Sequence, residues 1–485
     1  MSEQILLQGK ILGIEEFLLS RAGDAGPRNC GEELLAGRSQ WVTLLSEVLP
    51  RALLAELGLP RILLGSSGGG QFLIVLPGEA RGSAGEFLGA AARQITDLSE
   101  GHVKLMWSCT ENLGDWAVVR KRLNEGLIRS RGTPAAEFGV AAFEPYEPAP
   151  AGRHDAYFAR ELGARIREAA SIGWSPEDPG MVRPGGGKHS WTITPNLSPD
   201  GIMLARHAAP SDDGRSAATV QQLGRRSHGR SLWGVLRGDV DYFGVRLRRV
   251  ASIEEHVPLS VLYKQFFAGE MEVLCSMPEF WRKVTIIYSG GDDFAVYGSW
   301  DALIQLAREV QRLFHRFTEE NLKDFPGPEG KTISMALALA PEMNYPLSAV
   351  YQQAGRNLEL AKAADKDCMY VLGRVLEWKQ LADAAELKDT VTRLVGDSRL
   401  SRQFLLELRS FYGKEMYGIG REGRPQRTWH FQRRFNRILA GTRDRDFQKL
   451  RAHLVNEMVA KKSAEVKLRP AGLVALEWAR LATEV

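Results

Sequence analysis

The chain has 485 residues, of which 44% are apolar and 25% are charged, and its formal net charge is +4. At ~100–200 residues per domain this length accommodates three or four domains, and the balance of apolar and charged residues excludes a disordered or fibrous chain. No apolar run approaches the ~18–20 residues of a membrane helix, and the N-terminal residues lack the features of a secretion signal. The four cysteines form no C-x-x-C pair, so we expect no zinc ribbon and a reduced, cytoplasmic protein.

The first part of the chain has the pattern of a small α+β domain. Apolar side chains spaced three and four residues apart predict helices, and short apolar runs beside glycine-rich turns predict strands. The predicted elements are a strand at 5–7, a helix at 41–49, a hairpin at 62–76 that turns at 65–70, a helix at 84–99, a strand at 103–109 and a helix at 115–129. Their order is that of a ferredoxin-like β-α-β-β-α-β sheet with helices on one face.

The same order of elements returns later in the chain, so the sequence contains an internal repeat. The second copy has predicted strands at 232–236, 284–288, 294–297, 332–339 and 369–372, and predicted helices at 303–317 and 347–364. We therefore predict an α+β fold with two ferredoxin-like domains, at 1–145 and at 229–380.

The two remaining segments differ from the copies in composition. Residues 146–228 begin with a proline-rich stretch and mix one predicted helix with Gly/Pro-rich loops, which indicates a small inserted domain with mobile edges. Residues 381–485 are predicted to form a helical domain, and residues 391–485 carry 20 Lys and Arg against 10 Asp and Glu. This basic excess is compatible with contact to nucleic acid or to an RNA-bearing assembly, although a solvated helical face is the simpler interpretation of charge alone.

The second copy carries an acidic glycine turn between two apolar strands. Gly290 and Gly291 let the backbone approach a ligand closely, whereas Asp292 and Asp293 repel each other by roughly 4 kcal/mol at ~4 Å and an effective dielectric constant of ~20. In the predicted sheet, the end of the first strand brings Asp239 to the same place. Three converging carboxylates bind Mg²⁺ or Mn²⁺ together with substrate phosphates. A plain Asp-rich hairpin turn is the alternative interpretation.

The first copy keeps the glycine-rich turn but lacks the carboxylates. Alignment of the copies places Gly70 and Gln71 opposite the two turn aspartates and Lys10 opposite Asp239. We therefore predict one copy that binds catalytic metal ions and one degenerate copy that holds a nucleotide through its backbone N–H groups.

Two lysines near the end of the helix at 347–364 are further candidates for the site. Lys362 and Lys366 lie four residues apart, so both could neutralise a triphosphate, but two solvated lysines at a helix C-terminus explain the spacing equally well. The glycine-rich segment 185–188 lacks the spacing of a phosphate-binding loop and is predicted to be a flexible loop.

Several motifs of the two copies occur together in one known family. They are the segments 11–17 and 37–39 (the latter opening a helix), the turn 67–70, the run 239–241, the turn 289–293 and the segments 361–366 and 375–378. Together they resemble the large palm-containing subunit of type III CRISPR–Cas effector complexes, whose two palm domains are related to those of diguanylate cyclases and nucleic-acid polymerases. The resemblance covers most of the chain and is weakest over 151–228.

This resemblance implies a nucleotidyltransferase that polymerises ATP into cyclic oligoadenylate, a second messenger, when the complex binds target RNA. Carried over by position, Asp239, Asp292 and Asp293 would coordinate two Mg²⁺ or Mn²⁺ ions. The residues implied in ATP binding are Ser289, Gly290 and Gly291 for one ATP, Ser67, Gly68, Gly69 and Gly70 for the other, and Lys362 and Lys366 for the triphosphate. The implied partners are the other effector subunits, guide RNA and target RNA, without a membrane.

Two features found in many members of that family are not expected here. The only His-Asp pair, His154-Asp155, lies between the copies without evident partner ligands, so we expect a surface pair and no HD-type DNase. Residues 151–228 contain no cysteine, so we expect no zinc.

Two other functions remain as alternatives. One is a catalytically vestigial, structural subunit of the guide-RNA complex, against which the retained carboxylates argue. The other is a stand-alone cyclic dinucleotide synthase, which the degenerate partner copy and the basic tail disfavour.

Overall fold

The computed structural model describes residues 4–20, 30–132, 152–196, 198, 201–397, 405–406, 408–409, 459–462 and 465–484. Within these ranges, no helix combines the length and the apolar character that crossing a membrane requires.

The first copy folds as one antiparallel sheet with helices against it. The strand order is β2-β3-β1-β4, which is the predicted ferredoxin-like order. Residues 37–39, expected to open a helix, lie inside α2, which begins at Cys30. The elements are β1 (Gln4–Leu12), α1 (Ile14–Leu19), α2 (Cys30–Glu56), β2 (Leu64–Gly68), β3 (Gln71–Pro77), α3 (Arg81–Leu98), β4 (Lys104–Glu111) and α4 (Trp116–Gly132), with 3₁₀ turns at Arg61–Leu63 and Gly78–Ala80.

Side chains along β1 alternate between two buried clusters. Ile5 and Leu7 belong to the cluster that contains α2 and α3, whereas Leu6 belongs to the cluster that contains Trp116 and Leu123 of α4 and much of the second copy. Successive residues of a strand point to opposite faces of the sheet. The prediction of helices on one face only is therefore wrong for α4. The opposite face of the sheet is also apolar, and α4 packs against it.

The insert is built around a second small sheet. Its elements are a π-helical segment (Tyr157–Gly163), β5 (Ser171–Trp174), β6 (Arg183–Pro184), β7 (His189–Thr194), β8 (Gly201–Met203) and α5 (Val220–Arg225), and the strand order is β6-β5-β7-β8. The prediction of one helix with loops was wrong here. The strands have only two to six residues, which is too short for an alternating pattern to be recognised among glycines and prolines.

The insert packs on helix α2 by direct backbone contact. A Cβ added to Gly37 would lie 1.8 Å from the carbonyl oxygen of Phe158, and one added to Gly163 would lie 2.2 Å from the carbonyl oxygen of Glu33. The helix and the π-helical segment therefore meet at two glycines, neither of which can be replaced by a larger residue without a shift. Four residues along the helix, the indole N–H of Trp41 donates to the carbonyl of Gly180 at 2.9 Å. The buried core of the first copy is thus completed by the insert.

The second copy repeats the order of the first and extends it. Its sheet has the order β10-β11-β9-β12-β13-β14, whose first four positions correspond to those of the first copy. The elements are β9 (Trp233–Val240), α6 (Phe243–Arg249), α7 (Ile253–Lys264), a π-helical segment (Gln265–Glu270), α8 (Met271–Cys275), β10 (Val284–Gly290), β11 (Asp293–Ser299), α9 (Trp300–Asn321), β12 (Ile333–Leu339), α10 (Leu347–Ala364), β13 (Cys368–Val371) and β14 (Arg374–Glu377).

Strand β9 also alternates between two clusters. Trp233 and Val235 share a cluster with Val350 and Ala354 of α10, whereas Leu236 belongs to the cluster of α7 and α9. The odd-numbered residues of β9 therefore lie on the face that packs against α10. Because side chains alternate along a strand, Asp239 lies on this same face.

The described part of the tail comprises α11 (Trp378–Asp397), β15 (Val459–Lys462), β16 (Glu465–Leu468) and α12 (Pro470–Thr483). The helices agree with the prediction, whereas the antiparallel pair of β15 and β16 does not, because four-residue strands carry too little periodicity to be recognised. Residues 410–458 of the predicted helical domain lie outside the described residues.

The contact at Gly37 leads to a stability prediction. Gly37→Ala is expected to lower the free energy of unfolding by about 1–3 kcal/mol, because the new methyl group overlaps the Phe158 carbonyl and the packed elements must separate. Gly85→Ala in α3 is the matched control, since nothing lies within 4 Å of its added Cβ; alanine there is expected to be neutral or stabilising by up to about 1 kcal/mol. Urea denaturation of the full chain measures both, and equal effects of the two substitutions would contradict the packing described.

Candidate active site

The two strands that carry the predicted carboxylates are neighbours in the second sheet. Asp293 begins β11 and pairs with Asp239 near the end of β9, and the N–H of Val240 donates to the carbonyl of Asp292 at 2.9 Å. Gly291, in the turn between β10 and β11, has a φ of +70°, which glycine adopts without strain. The fold therefore brings the three aspartates to one end of the sheet, as the sequence predicts.

Asp241 is held away from this group. Strand β9 ends at Val240, and the Asp241 carboxylate accepts hydrogen bonds from the Thr332 hydroxyl at 2.8 Å, the Ser334 hydroxyl at 2.7 Å and the Asp367 N–H at 3.0 Å. A carboxylate that is 1% exposed and accepts three hydrogen bonds is a structural anchor between β9 and β12.

Burial raises the pKa of all three site carboxyls. The pKa of Asp292 rises to about 8, mainly through burial and further through the charges of Asp293 and Asp239. The pKa of Asp293 rises to about 6 through burial and the charge of Asp239, and burial also raises the pKa of Asp239 against the opposing effect of Lys362. Without a bound cation, the site therefore keeps at least one proton at neutral pH.

Two neighbouring side chains contact these carboxylates. The Lys362 ammonium of α10 lies 3.0 Å from Asp239 Oδ2, and the Tyr288 hydroxyl donates to Asp293 Oδ2 at 3.0 Å. In the described ranges, no three His, Cys, Asp or Glu side chains are already grouped so that they could hold a metal ion. The chemistry of the donors nevertheless fits a hard divalent cation, because Mg²⁺ and Mn²⁺ prefer carboxylate oxygens and a cation relieves the repulsion among buried carboxylates.

The other predicted residues divide between the site and its surroundings. Lys362 contacts the site carboxylate Asp239, whereas the Lys366 ammonium lies 3.6 Å from the centroid of the Tyr242 ring. Neither lysine is among the residues that line the cavities around the turns. The hydroxyl of Ser289 is buried and donates to the carbonyl of Phe267 at 2.6 Å. Ser289 is 2% exposed and lines neither cavity, whereas its neighbour Gly290 lines the acidic one.

The glycine turns of the two copies touch each other. A Cβ added to Gly69 would lie 3.2 Å from the Cα of Gly291, and one added to Gly291 would lie 3.0 Å from the Cα of Gly69. Gly69 has a φ of +59°, so both turns have the left-handed conformation that favours glycine. The two turns can meet this closely because neither has a side chain at the contact.

A cavity lies on each side of this contact. One, of about 310 Å³, is lined by the three aspartates together with Gly69, Gly70 and residues of α1 and α2 from the first copy. The other, of about 320 Å³, is lined by Ser67, Gly68 and Gly69, by α4, by residues of α6 and α7 from the second copy, and by Gly291 and Asp292 of the acidic turn. Each turn thus faces helices of the other copy.

The internal alignment of the two copies holds in the structure. Asp239 pairs with Asp293 in the second sheet, and Lys10 pairs with Gln71 at the equivalent register of the first sheet. The first-copy turn consequently has no acidic residue at the two paired positions, and one of them carries a positive charge.

An arginine that no sequence motif indicated joins the two copies in the acidic cavity. The Arg237 guanidinium lies 3.2 Å from Glu15 Oε1 of α1 and 4.4 Å from the centroid of the Tyr351 ring. Because alternate residues of a strand share a face, the position of Arg237 two residues before Asp239 could have indicated its presence. Nothing local indicates Glu15 or Tyr351, which reach the cavity only through the tertiary fold.

The adjacent residues His154 and Asp155 point to different partners. Asp155 accepts a hydrogen bond from Arg38 at 3.0 Å, and His154 Nε2 lies 3.3 Å from Asp97. The side chains of Asp155 and His154 are 21% and 20% exposed, so the pair is half-buried and not the surface pair that was expected; the absence of an HD-type DNase stays a prediction.

The chain is similar to known proteins, most clearly over its second copy. Residues 232–370 match the family model described as Cas10/Cmr2, second palm domain. A CRISPR system single-strand-specific deoxyribonuclease Cas10/Csm1 (subtype III-A) of Thermococcus onnurineus strain NA1 is 25% identical over 201 residues. This alignment covers 38% of the present chain and 25% of that relative, so the match spans about a quarter of its length.

Solved structures show the same fold over the whole chain. A Csm1–Csm4 cassette in complex with cA4 superposes with a TM-score of 0.73 at 18% identity, covering 100% of this chain and 70% of that one. A Csm1–Csm4 subcomplex of the type III-A CRISPR-Csm interference complex superposes with a TM-score of 0.71 and the same coverage at 18% identity. Residues 232–370 are thus similar to the second palm domain of Cas10/Cmr2, and the chain as a whole shares the fold of Csm1 in these structures.

Proposed function

We propose that this chain serves a type III CRISPR–Cas effector complex by polymerising ATP into cyclic oligoadenylate when target RNA binds. The contact between the Gly69 and Gly291 turns carries the proposal. It sets two cavities side by side, and only one of them is lined by the three carboxylates. An ATP in each cavity would bring the two reacting nucleotides together across the palm–palm interface.

The residues in and beside the acidic cavity have distinct roles in this proposal. Asp239, Asp292 and Asp293 would hold two Mg²⁺ or Mn²⁺ ions, which when bound supply Lewis-acid stabilisation of the phosphate oxygens. Lys362 would exchange its contact with Asp239 for a triphosphate oxygen, while the backbone of 289–291 orients one ATP. The 3′-hydroxyl of one ATP then attacks the α-phosphate of the other, so that a phosphodiester forms, the α–β bond breaks and pyrophosphate leaves.

The partners follow from the same comparison. The superposed subcomplex belongs to a type III-A interference complex, so we propose that this chain assembles with other type III subunits and, through them, with guide RNA and target RNA. The Thermococcus relative is described as a deoxyribonuclease, but the described residues supply no observation that supports a nuclease site in this chain, and none is proposed.

Two alternatives are distinguished by simple observations. A catalytically vestigial subunit would have no reason to keep three carboxylates buried together at a raised pKa. A stand-alone cyclic dinucleotide synthase would purify from its native source without guide RNA and other subunits, whereas the proposed subunit carries them along.

The carboxylates provide the direct test of catalysis. The double substitution Asp292→Asn and Asp293→Asn is expected to reduce oligoadenylate formation by about a hundredfold or more, because several kcal/mol of transition-state stabilisation is lost. The measurement is mass spectrometry of products from the assembled complex with target RNA, ATP and Mg²⁺ or Mn²⁺. Asp324→Asn, at an exposed aspartate, is the control and should leave product unchanged. A well-assembled wild-type complex that makes no oligoadenylate would refute the proposal.

The raised pKa values predict how metal affinity depends on pH. Since the pKa of Asp292 is about 8 and that of Asp293 about 6, a metal ion must displace protons below these values, and its affinity falls as the pH falls. We expect the Mn²⁺ dissociation constant, measured by calorimetry on the full chain, to be about tenfold or more larger at pH 6.5 than at pH 8.5.

Asp292→Asn is the control for this dependence. It removes the group with the higher pKa, so the remaining variation between pH 6.5 and 8.5 should become shallow. Equal Mn²⁺ affinity of the wild-type chain at both pH values would contradict the assignment of Asp292 as a protonated ligand.

A further inference from the structure

The two cavities beside the glycine turns differ in their charged residues. All three aspartates line one of them, whereas Lys264 and two arginines line the other together with Asp292 alone. Where the second copy pairs Asp239 with Asp293, the first copy pairs Lys10 with Gln71. A nucleotide on the first-copy turn therefore meets no carboxylate at these two positions that could hold a divalent cation, and its phosphates need another source of positive charge.

A buried ionic cluster lies directly behind the first-copy turn. Glu47 Oε2 is 2.8 Å from the Arg51 guanidinium, 2.6 Å from the Lys264 ammonium and 2.9 Å from the Ser67 hydroxyl, which donates to it. The Lys264 ammonium and the Arg51 guanidinium also donate to the Ser67 hydroxyl, each at 3.3 Å. Glu47 and Arg51 belong to α2, whereas Lys264 comes from α7 of the second copy.

The positive charges of this cluster exceed the negative ones. One lysine and one arginine face one glutamate, whose side chain is only 2% exposed. The two cations hold the pKa of Glu47 below its usual value even though burial acts in the opposite direction. With all three groups ionised the cluster carries a net charge of +1, although burial lowers the pKa of the Lys264 ammonium against the opposing effect of Glu47. The Nε of Arg51, which is 8% exposed, has no hydrogen-bond partner among the described residues. Buried charge that is not neutralised is costly, so this site favours the arrival of an anion.

Lys264 is the member of the cluster that faces the cavity. It lines the 320 Å³ cavity together with Ser67, Gly68 and Gly69, while Glu47 and Arg51 lie behind it. Gly68 and Gly69 have φ values of +122° and +59°, and a turn of this kind presents backbone N–H groups to an anion. A lysine and an open glycine turn are a combination that binds phosphate.

We propose that Lys264 binds a phosphate group of the nucleotide on the first-copy turn without a divalent cation, and that Glu47 is its partner when the cavity is empty. The inference rests on the proposed function for the presence of a nucleotide there. It adds that the second copy supplies a phosphate-binding residue to the first. The segment that follows Lys264 also accepts, at the Phe267 carbonyl, the hydrogen bond of Ser289 in the acidic turn, so one continuous segment contacts both turns.

The test is the binding of ATP to the full chain in EDTA, measured by calorimetry. The wild-type chain is expected to bind ATP under these conditions, and Lys264→Gln is expected to raise the dissociation constant by about tenfold to a hundredfold, as for the loss of a charged hydrogen bond. Lys283→Gln, at a lysine paired with Asp301, is the matched control and should bind like the wild type.

The variant Glu47→Gln separates phosphate binding from a structural role. It raises the net charge of the cluster from +1 to +2, so ATP should bind more tightly by severalfold, whereas a cluster that only holds the copies together would lose binding in both variants. Circular dichroism establishes that each variant is folded, and Lys264→Arg should restore binding. Absence of metal-free ATP binding by the wild-type chain, unchanged binding by Lys264→Gln, or weaker binding by Glu47→Gln would overturn the proposal.

The result of the ATP-binding experiment in EDTA does not depend on whether the complex synthesises oligoadenylate. If the assembled complex makes no oligoadenylate with Mg²⁺ while Lys264-dependent ATP binding persists in EDTA, the proposed function fails and the inference about Lys264 stands. If oligoadenylate is made but Lys264→Gln binds ATP in EDTA as the wild type does, the inference fails alone.

Discussion

The contact between the backbones of Gly69 and Gly291 is the constraint on which the candidate site depends. Each glycine has a positive φ, and a Cβ on either would lie at or near 3 Å from the Cα of the other. A close backbone contact of this kind fixes the distance between the two sheets more tightly than side chains could, because it has no rotamers to adjust. It also leaves a cavity on each side, each closed by helices of the opposite copy.

The two copies of the repeat have the same fold, but the cavities beside their turns favour ligands of opposite charge. The strand order and the register are shared, yet the paired positions hold two aspartates in one sheet and a lysine with a glutamine in the other. In the acidic cavity, burial raises the pKa of the carboxyls and makes a cation favourable. In the other cavity, burial encloses an excess of positive charge and makes an anion favourable. The low dielectric constant of the interior strengthens both effects. A few differences in residue type between the two copies are therefore enough to make one cavity favour a cation and the other an anion.

Much of this organisation could be predicted from local patterns. The repeat, the order of its strands, the pairing of Asp239 with Asp293 and the presence of Lys10 and Gln71 at the equivalent positions all follow from apolar runs and turn residues. The insert could not be predicted, because strands of two to six residues leave no readable period. The burial of the Ser289 hydroxyl and the turning of Lys366 onto Tyr242 were also hidden, since a one-dimensional motif does not tell which way a side chain points.

By itself the sequence determined the number of copies, the glycine turns and the carboxylates at one end of the second sheet, because these depend on periodicity and on residues close to one another along the chain. Only the tertiary structure decided which groups complete each cavity. Arg237 meets Glu15 and Lys264 meets Glu47 across more than 200 residues of chain. Contacts of that span leave no local signature, because they arise only when two separately folded sheets are brought together at a pair of glycines.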